Sequence, residues 1–314
     1  MERCDFLPVS AEEMHERGWW WYDALVVGGD AYVDHPSFGT AVISRVLEAE
    51  GLRVAVLAQP DWHDAEAFRA MGRPRLGVFI GAGNLDSMVA HYTAAKRRRS
   101  EDFYSPGKRS GCRPDRAAIV YCNRAREAFG PDMPIILGSL EASLRRFAHY
   151  DYWDDSVRRA ILFDAPADLL VYGMGEAATI EIAHRLKKKQ SVRTMTDIPG
   201  TGYITRDPSV CKFDHITLPS FEDVRDDKRL YAEATRTEYA EHDPIRGRAM
   251  IQPCEGRYLI INPPAMPLDT KELDRVAELP YTREWHPMYE PLGGVPAIEE
   301  VRFSVIHNRG CFGG

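Results

Sequence analysis

The chain has 314 residues, 44% hydrophobic content and 40 Lys and Arg against 47 Asp and Glu, a formal net charge of −7. That length allows two domains with sizeable cores, and the acidic balance excludes a protein that coats nucleic acid over its whole surface while leaving local basic segments open. No apolar run approaches the roughly 20 residues that a bilayer requires, and "MERCDFLPVSAEEMHERGWWWYD" lacks the layout of a signal peptide, so a cytoplasmic protein with no membrane partner is expected.

From residue 22 to about 190, short apolar runs alternate with amphipathic patterns. The strand candidates are 23–29 (DALVVGG), 53–59 (RVAVLAQ), 75–81 (RLGVFIG), 133–139 (MPIILGS) and 167–173 (ADLLVYG). Their near-continuous apolar character suits strands buried on both faces. Val42, Ile43, Val46 and Leu47 make one helical face; Leu85, Met88, Val89 and Tyr92 repeat at helical spacing, as do Ile182, Ala183 and Leu186. Strands alternating with helices predict a parallel, doubly wound α/β sheet.

Beyond this the pattern changes. Residues 218–243 read as one long charged helix, 247–264 as a hairpin turning at Glu255-Gly256, and Asp269 with Glu272 as a capped helix start. A Pro/Gly-rich connector at 287–300 leads into a final strand at 302–306. The expected organisation is a domain over 1–195, an α+β bridging segment over 196–298, and the start of a further unit at 299–314.

Cys4, Cys112, Cys122, Cys211, Cys254 and Cys311 include no C-x-x-C and no short-spaced pair, which excludes a complete zinc finger within the chain. Reduced, mostly buried thiols are the expectation for all but Cys311.

In an open parallel sheet, ligands sit outside the carboxyl ends of the strands. The loop after the first strand holds Gly29, Asp30, Asp34, His35 and Gly39. The two acids and the histidine can bind a metal or move a proton, and the glycines admit a ligand to the backbone. Equally, Pro36 can start a turn and Ser37 can cap the helix. The spacing is not G-x-G-x-x-G, which argues against a dinucleotide fold. After the fourth strand come Glu141, Arg145, Arg146, His149, Asp151 and Trp153, either an anion site with stacking surface or an ion-pair network needing no ligand. After the fifth, Glu176 stands where a helix N-terminus favours negative charge. The basic runs 96–100 (KRRRS) and 107–116 (GKRSGCRPDR) are either phosphate contacts or a solvated loop.

Taken together, GDAYVDHPSFG (29–39), AQPDW (58–62), ILGSLEASLRRFAHYDYW (136–153), INPPAMPL (261–268) and RFSVIHNRGCFGG (302–314) resemble the N-terminal half of the YgiQ-like radical SAM proteins, a family without an established reaction. The resemblance implies that Cys311 is the first cysteine of a C-x-x-x-C-x-x-C motif whose other two cysteines lie beyond the chain end. Three such thiolates would hold a 4Fe-4S cluster whose remaining iron chelates S-adenosylmethionine, and reductive cleavage would release a deoxyadenosyl radical. It further implies a truncated β/α barrel beginning at 302–306 and a reducing partner such as flavodoxin or ferredoxin. The fragment by itself is expected to be inactive and without stoichiometric iron.

The first 190 residues also resemble flavodoxin-like, cobalamin-binding domains, implying a five-stranded sheet. They depart from the D-x-H-x-x-G motif of that fold, because Asp34 and His35 are adjacent and three residues separate His35 from Gly39, which argues against cobalamin. Two alternatives stay beside the radical SAM reading: a binding module for a corrinoid, nucleotide or RNA, and a metal-dependent hydrolase built on Asp30, Asp34 and His35.

Overall fold

The computed structural model describes residues 5–304. The strands are β1 (Ala24–Gly28), β2 (Val54–Ala58), β3 (Gly77–Gly81), β4 (Ile135–Leu137), β5 (His149–Asp151), β6 (Ser156–Arg158), β7 (Leu169–Val171), β8 (Thr201–Thr205), β9 (His215–Thr217), β10 (Ala249–Cys254) and β11 (Arg257–Ile261). The α-helices are α1 (Ala11–Glu16), α2 (Gly39–Ala49), α3 (Glu66–Arg69), α4 (Ser87–His91), α5 (Ala117–Phe129), α6 (Ser139–Leu144), α7 (Glu176–Lys187), α8 (Phe221–Asp226), α9 (Lys228–Ala240) and α10 (Thr270–Ala277).

The main sheet has nine strands in the order β2-β1-β3-β4-β7-β8-β11-β10-β9. Five of them, β2, β1, β3, β4 and β7, run parallel, while β5 and β6 form a separate antiparallel pair. The sheet is therefore larger than the five strands expected: β8 adds antiparallel to β7, and the β10–β11 hairpin joins through β11. Its turn is at Glu255-Gly256, both with positive φ (50° and 72°), the conformation that a tight hairpin needs. At the far border β9 is three residues long, with His215 and Thr217 exposed. At the opposite border the Val56 N–H of β2 donates to the Pro8 carbonyl at 2.9 Å.

The parallel strands separate two cores. Along β1, Ala24 and Val26 face a layer containing α2 and α7, while Leu25 and Val27 face one containing α5. Val42, Val46 and Leu47 of α2 and Ile182, Ala183 and Leu186 of α7 are buried as their spacing predicts. Strands packed on both faces tolerate no polar alternation, which is why they read as apolar runs.

Four expectations fail for local reasons. The segment 218–243 is two helices, because Asp227 is extended (φ −126°, ψ 112°) and its side chain accepts from Arg229 N–H to start α9. The Leu85–Tyr92 repeat yields only the five residues of α4, capped by Asp86 and ended by extended Tyr92. Phe38, not Ser37, precedes α2, with no side-chain cap; Ser37 lies in the turn that Phe38 N–H closes onto the His35 carbonyl at 2.9 Å. Residues 302 and 303, the first two of the strand expected over 302–306, lie in a turn; residues 305 and 306, and Cys311, lie outside the described residues.

The segment after α10 returns to the first loop. Val33 bridges Trp285 antiparallel, Asp34 N–H donates to the Glu284 carbonyl at 3.0 Å, and His286 N–H to the Tyr32 carbonyl at 3.0 Å.

Candidate functional site

The carboxyl ends of β1, β3, β4 and β7 frame a cleft of about 770 Å³, counting the part open to solvent. It straddles β1 and β3, where the strand order reverses, the position at which open parallel sheets take ligands. Its floor is apolar, with Val26, Val27, Phe79, Ile80, Ile136 and Val171, and α2 adds Val42 and Ile43. Hydroxyls come from Thr40, Ser139 and Thr179, a carboxylate from Glu176, and no Arg, Lys or His is among the lining residues.

Glycine ends the strands that frame it. Gly81, Gly83, Gly138, Gly173 and Gly175 line the cleft together with Gly39 of α2. Gly83 shows why: its φ is +111°, and a Cβ there would stand 2.3 Å from the Asp30 carboxylate. Ser139 takes a left-handed conformation (φ 73°) at the turn from β4 into α6, and its Oγ accepts from Ala82 N–H at 3.1 Å. That turn joins the ends of neighbouring strands.

Of the predicted site residues, Gly39 and Glu176 line this cleft. Gly29 sits behind it, where a Cβ would meet the Ala82 carbonyl oxygen at 2.0 Å, so its role is close packing of β1 against the segment after β3. The buried Asp30 pairs with Arg113 at 2.6 Å and accepts from Asn84 N–H at 2.6 Å; burial pushes its carboxyl up, with Arg113 pulling it back. Arg113 also binds Asp102 at 2.7 Å. Asp34 instead pairs with Arg45 at 2.5 Å and accepts from Thr282 N–H at 2.9 Å.

His35 is fully buried. Its Nδ1 accepts from Ser37 N–H at 3.1 Å, which places the ring proton on Nε2, facing the Val301 backbone without closing a hydrogen bond of normal geometry. Burial and the nearby Arg283 push its pKa down to about 4, so the ring is neutral near pH 7. Asp30 and Asp34 thus each serve a different arginine. Among the described residues, no group of three or more His, Cys, Asp or Glu is placed to hold a metal ion.

The segment after β4 is largely a network of internal contacts. Both Glu141 oxygens accept backbone N–H groups, from Ser87 at 2.9 Å and Ala118 at 3.1 Å, so this buried side chain ties the first turn of α5 to α4. Burial, reinforced by the Asp86 charge, raises its pKa. Arg145 pairs with Asp86. Asp151 binds Arg116 at 2.9 Å, and this partner holds its carboxyl below the ordinary range against the cost of burial. Arg146 lies over the Phe147 and Tyr172 rings, 5.2 and 5.0 Å from their centroids, and His149 Nδ1–H donates to the Phe147 carbonyl at 3.0 Å.

Sequence reasoning missed Gly81, Gly83, Gly138, Ser139 and Thr179 as a set. The legible signal was the recurrence of glycine after successive strands, in GG (28–29), GAG (81–83), GS (138–139) and GMG (173–175).

Comparison with known proteins matches residues 6–304 to the family model described as Radical SAM N-terminal. The chain is 54% identical over 313 residues to a UPF0313 protein of Clostridium botulinum (strain 657 / Type Ba4), covering 100% of this chain and 49% of that one. It is 52% identical to a UPF0313 protein of Clostridium perfringens (strain SM101 / Type A), covering 47% of it. The chain therefore spans about half the length of the curated relatives it matches. Among solved structures, the radical S-adenosylmethionine methyltransferase TsrM from Kitasatospora setae, with tryptophan and a SAM analogue bound, gives a TM-score of 0.38 at 19% identity over 57% of this chain and 28% of that one. The same enzyme with cobalamin and a 4Fe-4S cluster bound gives 0.37 at 18%, over 57% and 26%.

Proposed function

The chain belongs to the Radical SAM N-terminal family, and on that premise we propose that it is a ligand-holding module, whose cleft takes a ring-bearing small molecule and presents it to radical chemistry carried by a longer protein. The observation that carries this reading is the cleft itself: apolar floor, glycine rim, three hydroxyls, one carboxylate and no cation among its lining residues. Such a lining suits a flat, weakly charged ring system and opposes a polyphosphate or an RNA backbone, whose charge it does not answer. We read the parallel half as flavodoxin-like, since its strand order is 2-1-3-4 followed by the next parallel strand.

A corrinoid is one ring system of suitable character. It would be held through its organic periphery, because His35 is buried with Nδ1 occupied and is not available as an axial ligand. The described residues do not fit a cluster: no candidate metal group occurs among them, and Cys112, Cys122, Cys211 and Cys254 are free thiols. We therefore assign the 4Fe-4S cluster, S-adenosylmethionine and the one-electron donor, of flavodoxin or ferredoxin type, to the longer protein.

Gly39→Leu tests the cleft, because Gly39 lines it and a Cβ there meets nothing within 4 Å. Hydroxocobalamin, flavin mononucleotide and ATP serve as probes, followed by melting midpoint and equilibrium dialysis. The expected result is that a ring probe raises the midpoint of the wild-type chain and that Gly39→Leu weakens its binding at least tenfold without altering the unliganded midpoint. If neither hydroxocobalamin nor flavin mononucleotide binds, if ATP binds as tightly as they do, or if Gly39→Leu leaves binding intact, the reading fails.

A further inference from the structure

The long connection between β3 and α5 leaves the cleft rim at Gly83 and returns at Arg113, whose side chain binds Asp30. Between them the two basic runs fold onto one another. Thr93 N–H donates to the Arg97 carbonyl at 2.8 Å and Arg99 N–H to the His91 carbonyl at 2.7 Å, while Tyr92 bridges Arg98 and Glu101 bridges Arg109. The Arg98 guanidinium lies 3.6 Å from the position a Cβ would take on Gly111, so the second run packs beside the first.

Lys96, Arg97, Arg98, Arg99 and Arg109 are exposed. Together with Lys108 they make six cations, of which only Lys108 has a carboxylate within 4 Å among the described residues, Glu101 at 3.9 Å, while Arg98 acts on Asp115 from farther away and helps to hold its carboxyl down. Neighbouring arginines behave otherwise: Arg113, Arg116, Arg145 and Arg158 are each paired with an aspartate. In a chain of net charge −7, an unneutralised cluster of this kind is a local feature with a cost in self-repulsion.

Aromatic rings interleave with the cations. Lys96 stands 4.7 Å from the Tyr152 ring centroid and donates to the Trp153 carbonyl at 3.2 Å; Arg98 is 6.0 Å from the Tyr92 centroid and Lys108 4.8 Å from that of Phe103. Tyr92–Trp153 and Tyr152–Trp153 each pack at 5.3 Å, and Tyr152 and Phe103 remain 47% exposed, so part of each ring is accessible beside the lysine that covers it.

We propose that this surface, Lys96–Arg99 with Lys108, Arg109, Tyr152 and Phe103, docks a single-stranded RNA segment beside the cleft. Cations that track a phosphate backbone and rings that stack on splayed bases are the two components of single-strand recognition, and single strands with accessible bases are chiefly RNA. A membrane surface would also attract the cations, but its aromatic anchors insert among lipid headgroups and do not stack on bases, so vesicles are the comparison that separates the two.

Fluorescence anisotropy of the full chain with a labelled, unstructured RNA of about 20 nucleotides tests this, beside DNA of the same sequence, heparin and phosphatidylserine vesicles. With five or six phosphates contacted, log K should fall with log salt with a slope of roughly −3.5 to −4.2. Arg97→Glu with Arg98→Glu should weaken RNA binding at least tenfold. Tyr152→Leu should weaken it about 5- to 100-fold while leaving heparin binding unchanged, the range that loss of one stacked base gives. Arg97→Ala, which removes a side chain without a hydrogen-bond or ion-pair partner among the described residues, keeps the test open if the double variant does not fold. The proposal is overturned by an absence of RNA binding near 100 mM salt, by DNA or vesicles binding as tightly as RNA, by charge variants that bind normally, or by a Tyr152→Leu variant whose RNA affinity is unchanged.

Discussion

Asp34 and Arg45 form a two-contact ion pair, at 2.5 and 3.1 Å, inside the protein, with side chains 0% and 2% exposed. The same carboxylate accepts Thr282 N–H, so one buried charge pair joins the first loop, α2 and a segment 248 residues away in sequence. Removing one member of such a pair leaves the other uncompensated, at a cost of about 3 to 5 kcal/mol. Arg45→Met should lose stability on that scale in urea unfolding and speed amide exchange at Thr282; a loss below about 1 kcal/mol would show that the pair is dispensable.

His35 makes stability depend on pH. Its pKa in the folded protein is lowered to about 4 from an ordinary 6.5, so the unfolded chain takes up a proton first as pH falls. Its contribution is therefore complete above pH 6.5 and is lost as pH falls through the window from 6.5 to 4, to a total of about 3 kcal/mol. In His35→Asn, whose side-chain oxygen can accept Ser37 N–H, urea unfolding between pH 7 and 4.5 should lose less stability than in the wild type. A His35 ring seen by NMR to titrate near 6.5 would contradict this.

Two glycines on the same cleft should respond oppositely to alanine. Gly83→Ala places a methyl group on the Asp30 carboxylate at positive φ, and a loss of more than about 1 kcal/mol is expected. Gly39→Ala enters open space at the start of α2 and should be neutral or stabilising by up to about 1 kcal/mol. Thermal melting of the two variants side by side checks the contrast.

Glu141→Gln keeps the shape of the side chain but offers one acceptor where two are used. One of the N–H groups of Ser87 and Ala118 is then left facing another donor, with a loss of about 1 to 3 kcal/mol. Faster exchange of the Ser87 or Ala118 amide should accompany the lower urea midpoint. Wild-type exchange at both positions would remove the anchoring role.

The parallel strands were legible because burial on both faces leaves little in them but apolar residues. β8 was not: TGYIT carries two threonines and a glycine, and it is a strand because β7 and β11 flank it on both sides. Charges were legible as charges and not as partners. Arg113 stands in a basic run that reads as either phosphate contacts or a solvated loop, yet its side chain is fully buried between Asp30 and Asp102, a placement that depends on contacts 83 and 11 residues away. Asp30 and Asp34, four residues apart, read as one cluster, whereas each reaches a different arginine. The cleft could have been anticipated from glycines after successive strands, but only their assembly in one sheet shows that they share a rim.

A nine-stranded sheet presents two borders on which a second copy could add strands and begin an aggregate. At one, the Val56 N–H is already taken by the Pro8 carbonyl; at the other, β9 offers three residues, two of them polar and exposed. Neither gives an incoming chain a long apolar template, so edge-to-edge polymerisation has no ready nucleus despite the width of the sheet.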